Sequence, residues 1–141
     1  MFACAMYPGD EAFLNNVKEE AEQQVIRLRN HTSIALWCGN NENSEAWDRW
    51  GWQENRSKKE KKEIWNDYLK VFDDILPKIV SKFSETDYWE TSPKYGRGNP
   101  LYELEGDAHD WWVWHDEYHF EYLEKRVPRF MSEFGFQAFP S

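Results

Sequence analysis

The sequence predicts an α/β fold in which helices cover a mainly parallel sheet of short strands. Short apolar runs alternate with two long segments of helical periodicity, an order typical of right-handed βα units. The run at residues 34–38 is apolar at every position, as expected for a strand covered on both faces. With 141 residues, the chain is long enough for one domain with a hydrophobic core.

The first three predicted elements are a strand, a helix and a second strand. Residues 2–6 form an apolar run that a Pro-Gly turn ends, so we expect a buried strand there. Asp10 is suited to cap a helix whose apolar residues recur at helical spacing as far as Arg29. The second strand is predicted at 34–38, with Gly39 ending it.

The rest of the chain predicts a long loop, a second helix and three more strands. Residues 39–58 are polar and aromatic and are expected to be a loop. Apolar spacing predicts a helix from Lys59 to about Ser81, with a kink at Pro77. Further strands are expected at 87–90, 110–114 and 129–132, with a Gly/Pro-rich loop after the first and a short helix near 118–125.

The charge balance argues against a nucleic-acid partner. The net charge is −9, from 26 acidic and 17 basic residues, whereas phosphate binding requires a basic surface. The basic cluster at 56–62 is interrupted by Glu60 and is interpreted as a solvated helix start. Mean hydropathy is −0.92 and no apolar run approaches the length of a membrane helix, so no membrane association is expected. The sequence assigns no cellular compartment.

The chain is rich in aromatic residues, which make up 18% of it and include nine Trp. Aromatic rings stack on the C–H faces of sugars, but a Trp-rich core is the competing interpretation. Cys4 and Cys38 lie in apolar runs and are expected to be buried free thiols. No cysteine spacing fits zinc, and we expect neither a metal nor a cofactor.

Four residues form a His/Asp-rich stretch: His109, His115, Asp116 and His119. A metal site is one interpretation of this stretch. Histidines that hydrogen-bond a substrate or a carboxylate are the interpretation that we favour.

Two glutamates follow predicted strands and are the main candidates for chemistry. Glu42 lies a short turn after the second strand, and Glu133 lies at the end of the fifth. Side chains at the carboxyl ends of parallel strands project from the same rim. A carboxyl pair serves a glycosidase at roughly 5–5.5 Å if retaining, or roughly 6.5–9.5 Å if inverting. The alternative is that both are solvated acids at strand ends.

Two motifs that contain these glutamates resemble those of glycoside hydrolase family 2. Gly-Asn-Asn-Glu at residues 39–42 resembles the acid/base motif after the fourth barrel strand, and Ser-Glu-Phe-Gly-Phe-Gln at 132–137 resembles the nucleophile motif of the seventh. The sequences at 37–43, 106–109, 114–115 and 139–141 are most similar to the β-mannosidase branch. The resemblance covers essentially the whole chain.

The resemblance implies a fold and a set of roles. The fold would be a partial (β/α)8 TIM barrel of residues 1–141 that supplies strands 3 to 7. Glu42 would be the proton donor and later the base, and Glu133 would be the nucleophile that forms the glycosyl intermediate. Asn41 would contact the sugar. Pocket walls are expected from Trp50, Trp89, His109 and Trp114, with structural packing as the alternative for each.

The implied activity is hydrolysis of terminal β-D-mannoside bonds in an oligosaccharide or glycoconjugate, from the non-reducing end and by double displacement. β-Galactosidase, β-glucuronidase and a non-catalytic carbohydrate-binding module remain as alternatives. Because the family barrel has eight strands, we expect an excised piece of a larger chain. Its open sheet edges would pair with the rest of that chain or with another copy.

Overall fold

In the computed structural model, which describes residues 1–135, the chain forms two compact units: Met1–Thr91, and a second that begins at Ser92. Both units combine short strands with helices, and parallel pairing occurs in each. The predicted α/β class with parallel strands is therefore confirmed. The motif residues at 136–141 lie outside the described part of the chain.

The first helix, α1 (Glu11–Leu28), confirms the sequence prediction. The side chain of Asp10 accepts a hydrogen bond of 3.0 Å from the backbone N–H of Phe13, as an N-cap does. Val17 and Val25 are buried on one face. The regular apolar spacing was thus sufficient to place this helix.

The predicted buried strand at residues 2–6 is wrong. Only Phe2 pairs with a strand, through a parallel bridge to Asn40 with backbone hydrogen bonds of 2.8 and 2.9 Å. The backbone N–H of Ala5 donates instead to the side-chain oxygen of Asn43, at 3.0 Å. A side chain has therefore taken the place of a neighbouring strand as hydrogen-bond acceptor.

The prediction for the cysteines is correct in part. Cys4 and Cys38 are both reduced thiols, but Cys4 is exposed and Cys38 is half-buried. The expected burial of Cys4 depended on the strand at 2–6, which does not form.

The second predicted strand forms three residues later than expected. β1 spans Trp37–Asn41 instead of 34–38, and it pairs with β2 (Tyr88–Ser92). Gly39 lies within β1 and does not end it. A Cβ atom on Gly39 would lie 2.3 Å from the carbonyl oxygen of Glu90, so the glycine permits a close approach of the two strands.

The predicted loop at 39–58 contains a short helix, α2 (Asn43–Arg49), so that prediction is wrong. Ala46 and Trp47 are buried on its inner face. A helix of seven residues has too few turns to show a clear period in the sequence.

The second long helical segment confirms its prediction, with a different irregularity. It consists of α3 (Lys58–Leu69), a π-helical turn (Lys70–Ile75) and α4 (Leu76–Phe83). Ser57 and Glu60 form a capping box at its start. The backbone departs from regular α-helix in the π-helical turn. Pro77 lies directly after that turn, in the first turn of α4.

The core of the first unit lies between α1 and the long helical segment. Five buried residues form its main cluster, namely Val17, Tyr68, Val71, Phe72 and Leu76. Two tryptophans extend this cluster as a stack on Tyr68. The ring centroids of Trp65 and Tyr68 are 4.5 Å apart, and those of Trp47 and Trp65 are 5.7 Å apart. Part of the aromatic excess of the sequence therefore serves packing.

The second unit is built around two parallel strands, β3 (Ala108–Asp110) and β4 (Met131–Phe134). Between them lie two short helices, α5 (Trp112–His115) and α6 (Glu121–Lys125). α6 confirms the short helix expected near 118–125.

Both strand predictions in the second unit need correction. The strand expected at 110–114 ends at Asp110, whose carboxylate accepts a hydrogen bond of 3.2 Å from the backbone N–H of Trp112 at the start of α5. The strand expected at 129–132 forms at Met131–Phe134, so Glu133 lies within β4 and not after it. Across the sheet its register partner is His109.

In the described part of the chain, no helix is long and apolar enough to cross a membrane.

Candidate active site

Glu42 lies directly after β1 and immediately before α2. Its backbone adopts a left-handed conformation, with φ 61° and ψ 10°, which is uncommon for a residue with a side chain. The side-chain amide of Asn41 donates a hydrogen bond of 3.2 Å to Glu42 Oε2. The structure therefore brings together the two residues that the acid/base motif predicts.

Asn40 fixes the end of β1, a role that the sequence analysis did not predict. Its buried side-chain amide donates to the carbonyl oxygen of Glu90 at 2.7 Å. Its Oδ1 accepts hydrogen bonds from the Thr91 hydroxyl at 2.8 Å and from the backbone N–H of Asn43 at 3.0 Å. These bonds anchor the segment that holds Asn41 and Glu42.

Glu133 lies in β4 with its side chain 32% exposed. Its Oε2 accepts a hydrogen bond of 3.2 Å from the indole N–H of Trp111. The same oxygen lies 3.5 Å from His109 Nδ1. The second unit thus brings His109 and Glu133 together, and it adds Trp111, which the sequence interpretation had placed in a strand and not singled out.

His109 is held in β3 with its side chain 2% exposed. Its Nε2 lies 2.8 Å from the hydroxyl oxygen of Ser92 and 3.8 Å from a carboxylate oxygen of Asp107. Its backbone carbonyl accepts a hydrogen bond from the hydroxyl of Tyr102. Both the ring and the backbone of His109 are therefore fixed.

Asp107 is the polar centre of this buried network. It accepts hydrogen bonds from the hydroxyls of Ser92 and Ser132, the latter at 2.6 Å, and from the backbone N–H of Lys94 at 2.8 Å. Because only β3–β4 pairing and the fold of the 92–107 segment bring these residues together, sequence reasoning missed this role of Asp107.

The three tryptophans expected to form pocket walls differ in exposure. Trp50 follows α2 and is 50% exposed, Trp89 is half-buried in β2, and Trp114 is 46% exposed in α5. Their roles as pocket walls stay a prediction, as does the expected separation of the Glu42 and Glu133 carboxyl groups.

The metal interpretation of the His/Asp-rich stretch gains no support. Asp116 pairs with Arg97 at 2.9 Å. In the region that the structure describes, the ligand atoms of His115, Asp116 and His119 do not converge with those of His109.

Asp110, next to His109 in β3, has an altered acidity. Burial raises the pKa of its carboxyl group, while the hydrogen bond from the Trp112 N–H and the charge of Arg97 oppose this rise. The end of β3 therefore carries a carboxyl group that holds its proton more readily than an exposed aspartate.

No family model matches this chain. It is similar to two fungal proteins called β-mannosidase B, from Emericella nidulans and Thermothelomyces thermophilus. The identities are 34% over 146 residues and 35% over 151 residues, and they cover 99% and 100% of this chain. The chain spans 17% of the length of each of these relatives.

The chain is also similar to a solved structure, the crystal structure of a β-D-mannosidase from Dictyoglomus thermophilum. The TM-score is 0.76 at 43% sequence identity, over 100% of this chain and 16% of that one. The similarity therefore extends over all of the residues that carry the candidate site.

Proposed function

Because this chain is related over its whole length to a segment of the β-mannosidases of glycoside hydrolase family 2, we propose that it is part of the catalytic domain of a retaining β-mannosidase. The enzyme would hydrolyse terminal β-D-mannoside bonds from the non-reducing end. The observation that carries the proposal is the match with β-mannosidases across both glutamate motifs, at 43% identity to the solved relative.

The proposed fold of that domain is a (β/α)8 barrel to which this chain contributes strands 3 to 7. The parallel pairing of β3 with β4 supports it, as do the helices that lie between β1 and β2 and between β3 and β4. The exposed apolar side chains of Phe120, Val127, Phe130 and Phe134 also support it, because a complete domain would cover such residues. Self-association through these residues is the alternative.

In the proposed first step, Glu133 attacks the anomeric carbon and Glu42 donates its proton to the departing glycosidic oxygen. In the second step, Glu42 removes a proton from water, which attacks the same carbon and releases Glu133 as a carboxylate. The hydrogen bond from Trp111 holds Oε2 of Glu133, which leaves Oε1 as the proposed attacking oxygen.

Asn41 is proposed to bind a sugar hydroxyl beside the reacting carbon. Its side-chain amide nitrogen already contacts Glu42. Its Oδ1 is buried and accepts no hydrogen bond from any residue in the described range. An unsatisfied acceptor beside the proposed acid supports this role, because a sugar hydroxyl would supply the missing donor. Trp50, Trp89 and Trp114 are proposed as pocket walls.

The test uses the full-length protein that carries this segment and a panel of aryl β-glycosides. We expect the highest kcat/KM with the β-mannoside. Replacement Glu133→Gln should lower turnover by at least about a thousandfold, since the amide cannot form the glycosyl ester. Glu121→Gln, in exposed helix α6, is the control and should retain activity.

Three outcomes would contradict the proposal. Ordinary turnover by Glu133→Gln would remove the nucleophile assignment. Binding of mannosides without turnover by the wild-type protein would favour a carbohydrate-binding module, and preference for a β-galactoside or β-glucuronide would favour another branch of the family.

A further inference from the structure

We propose that Asp107 and Ser92 hold His109 as a doubly protonated ring, and that His109 thereby positions and stabilises the carboxylate of Glu133. His109, Ser92 and Asp107 are positioning residues in this scheme, because they act through Glu133. The inference deepens the proposed function and rests on Glu133 being its nucleophile.

The first step concerns Asp107, which receives hydrogen bonds from three donors. Two are the hydroxyls of Ser92 and Ser132, which converge on Oδ2, and the third is the backbone N–H of Lys94, on Oδ1. An ionised carboxylate only accepts hydrogen bonds, so this set of donors matches the charged form of the side chain. The Asp107 side chain is 4% exposed, so these donors replace the water that would otherwise solvate its charge.

The second step concerns Ser92, whose hydroxyl has one proton to donate. That proton is directed to Asp107 Oδ2. The contact of 2.8 Å between Ser92 Oγ and His109 Nε2 must then be made with the serine oxygen as acceptor. The ring nitrogen Nε2 of His109 therefore carries a proton.

The third step concerns the other ring nitrogen. In a neutral ring protonated at Nε2, the Nδ1 atom presents a lone pair. His109 Nδ1 lies 3.5 Å from Glu133 Oε2. A lone pair on Nδ1 would repel an ionised carboxylate at this distance, because neither atom supplies a hydrogen. A second proton on Nδ1 makes the contact an ion pair, and the ring then lies between two carboxylates, Asp107 at 3.8 Å and Glu133 at 3.5 Å.

This arrangement affects both steps of the proposed reaction. With Trp111 and His109 both directed at Oε2 of Glu133, the carboxylate plane is held while Oε1 attacks. When the glycosyl ester breaks down, negative charge returns to Glu133, and a cationic ring already in place stabilises it. The negative charge of Asp107 balances the positive charge of the ring while Glu133 is esterified and uncharged.

A purely structural role for the network makes a different prediction. If Asp107 and Ser92 only hold the segment between β2 and β3, their loss would lower stability without changing the protonation of His109. The protonation state is therefore the measurement that separates the two interpretations.

The experiment records the ring ¹⁵N signals of His109 in the full-length enzyme labelled at histidine, with His109→Gln identifying the signal. We expect both nitrogens to be protonated in the wild type. Asp107→Asn should return the ring to a single proton. It should lower kcat by about tenfold to a hundredfold, the range for losing a charge-assisted hydrogen bond, with little change in KM. Ser92→Ala should also return the ring to a single proton and lower kcat, and it replaces Asp107→Asn in the test if that variant does not fold. Asp116→Asn, a surface acid of the same unit, should change neither measurement.

A singly protonated His109 in the wild type would overturn the inference, as would an unchanged ring signal and kcat in folded Asp107→Asn or Ser92→Ala. The proposed function is tested separately by Glu133→Gln. If that variant is inactive while His109 proves neutral, the inference fails and the nucleophile assignment stands. If that variant is active, the proposed function fails.

Discussion

The side-chain amide of Asn40 donates a hydrogen bond of 2.7 Å to the carbonyl oxygen of Glu90, which ties the end of β1 to β2. The partner residues lie fifty positions apart in sequence. Because Asn40 Oδ1 also accepts from Thr91 and from the backbone of Asn43, one buried amide satisfies three groups around the Glu42 segment.

Asn40→Ala should therefore lower the free energy of unfolding by about 2–4 kcal/mol, since it leaves several buried polar groups without partners. Urea unfolding of the chain followed by circular dichroism measures this loss. Asn16→Ala, an exposed position in α1, is the matched control and should stay within about 0.5 kcal/mol of the wild type. Equal stability of both variants would show that the Asn40 network contributes nothing measurable.

Trp111→Phe should weaken catalysis while keeping an aromatic ring at that position. It removes the indole N–H that donates to Glu133 Oε2. We expect kcat/KM for an aryl β-mannoside to fall about tenfold, as for one hydrogen bond to a charged group.

The control for this variant is Trp37→Phe. It also removes an indole hydrogen bond, of 3.0 Å to the Ser84 hydroxyl, but that bond is far from Glu133 in the chain and does not involve either glutamate. Its kcat/KM should be unchanged. A similar fall in both variants would mean that loss of a tryptophan affects the protein generally.

Glu42→Gln should change the dependence of the rate on the leaving group. A proton donor matters most when the departing oxygen is a poor leaving group. We expect formation of the glycosyl intermediate to slow strongly for an alkyl β-mannoside and only slightly for a dinitrophenyl β-mannoside. Pre-steady-state kinetics measures this step, and equal slowing for both substrates would argue against Glu42 as the acid. Asp48→Asn, an exposed acid in α2, is the control.

Asp110 should make the folded chain less stable as pH rises above the ordinary pKa of an aspartate side chain. Burial raises the pKa of this carboxyl in the folded chain. Between the ordinary pKa and the raised one, the folded state keeps a proton that the unfolded state has released, so each increase in pH favours unfolding.

Asp110→Asn should flatten this part of the stability profile, because an amide does not titrate and its oxygen can still accept from the Trp112 N–H. Urea unfolding at a series of pH values between the two pKa values provides the measurement. A profile as steep as that of the wild type would assign the pH dependence to other groups. Glu121→Asn is a comparison at an exposed acid and should leave the slope nearly unchanged.

Local physical chemistry was sufficient for the long helices. The Asp10 cap and the spacing of Val17 and Val25 place α1, and the capping box at Ser57 marks the start of the second helical segment. The caps join residues three positions apart, and the two valines lie eight positions apart on one helix, so the sequence contains these signals directly.

Strand ends were less predictable, because they depend on what lies opposite. β1 continues through Gly39 and Asn40 because β2 approaches that glycine and accepts from that amide. An apolar run shows neither fact. The same reason explains the displacement of β4, in which Glu133 lies within the strand and opposite His109.

The sequence by itself determined the α/β class, the long helices and the two glutamate motifs, because each depends on neighbouring residues or on a short pattern. Only the tertiary structure decided that Asp107, Ser92 and Trp111 support His109 and Glu133. Those hydrogen bonds join residues up to 22 positions apart, and their geometry exists only after the 92–107 segment has folded and β3 and β4 have paired.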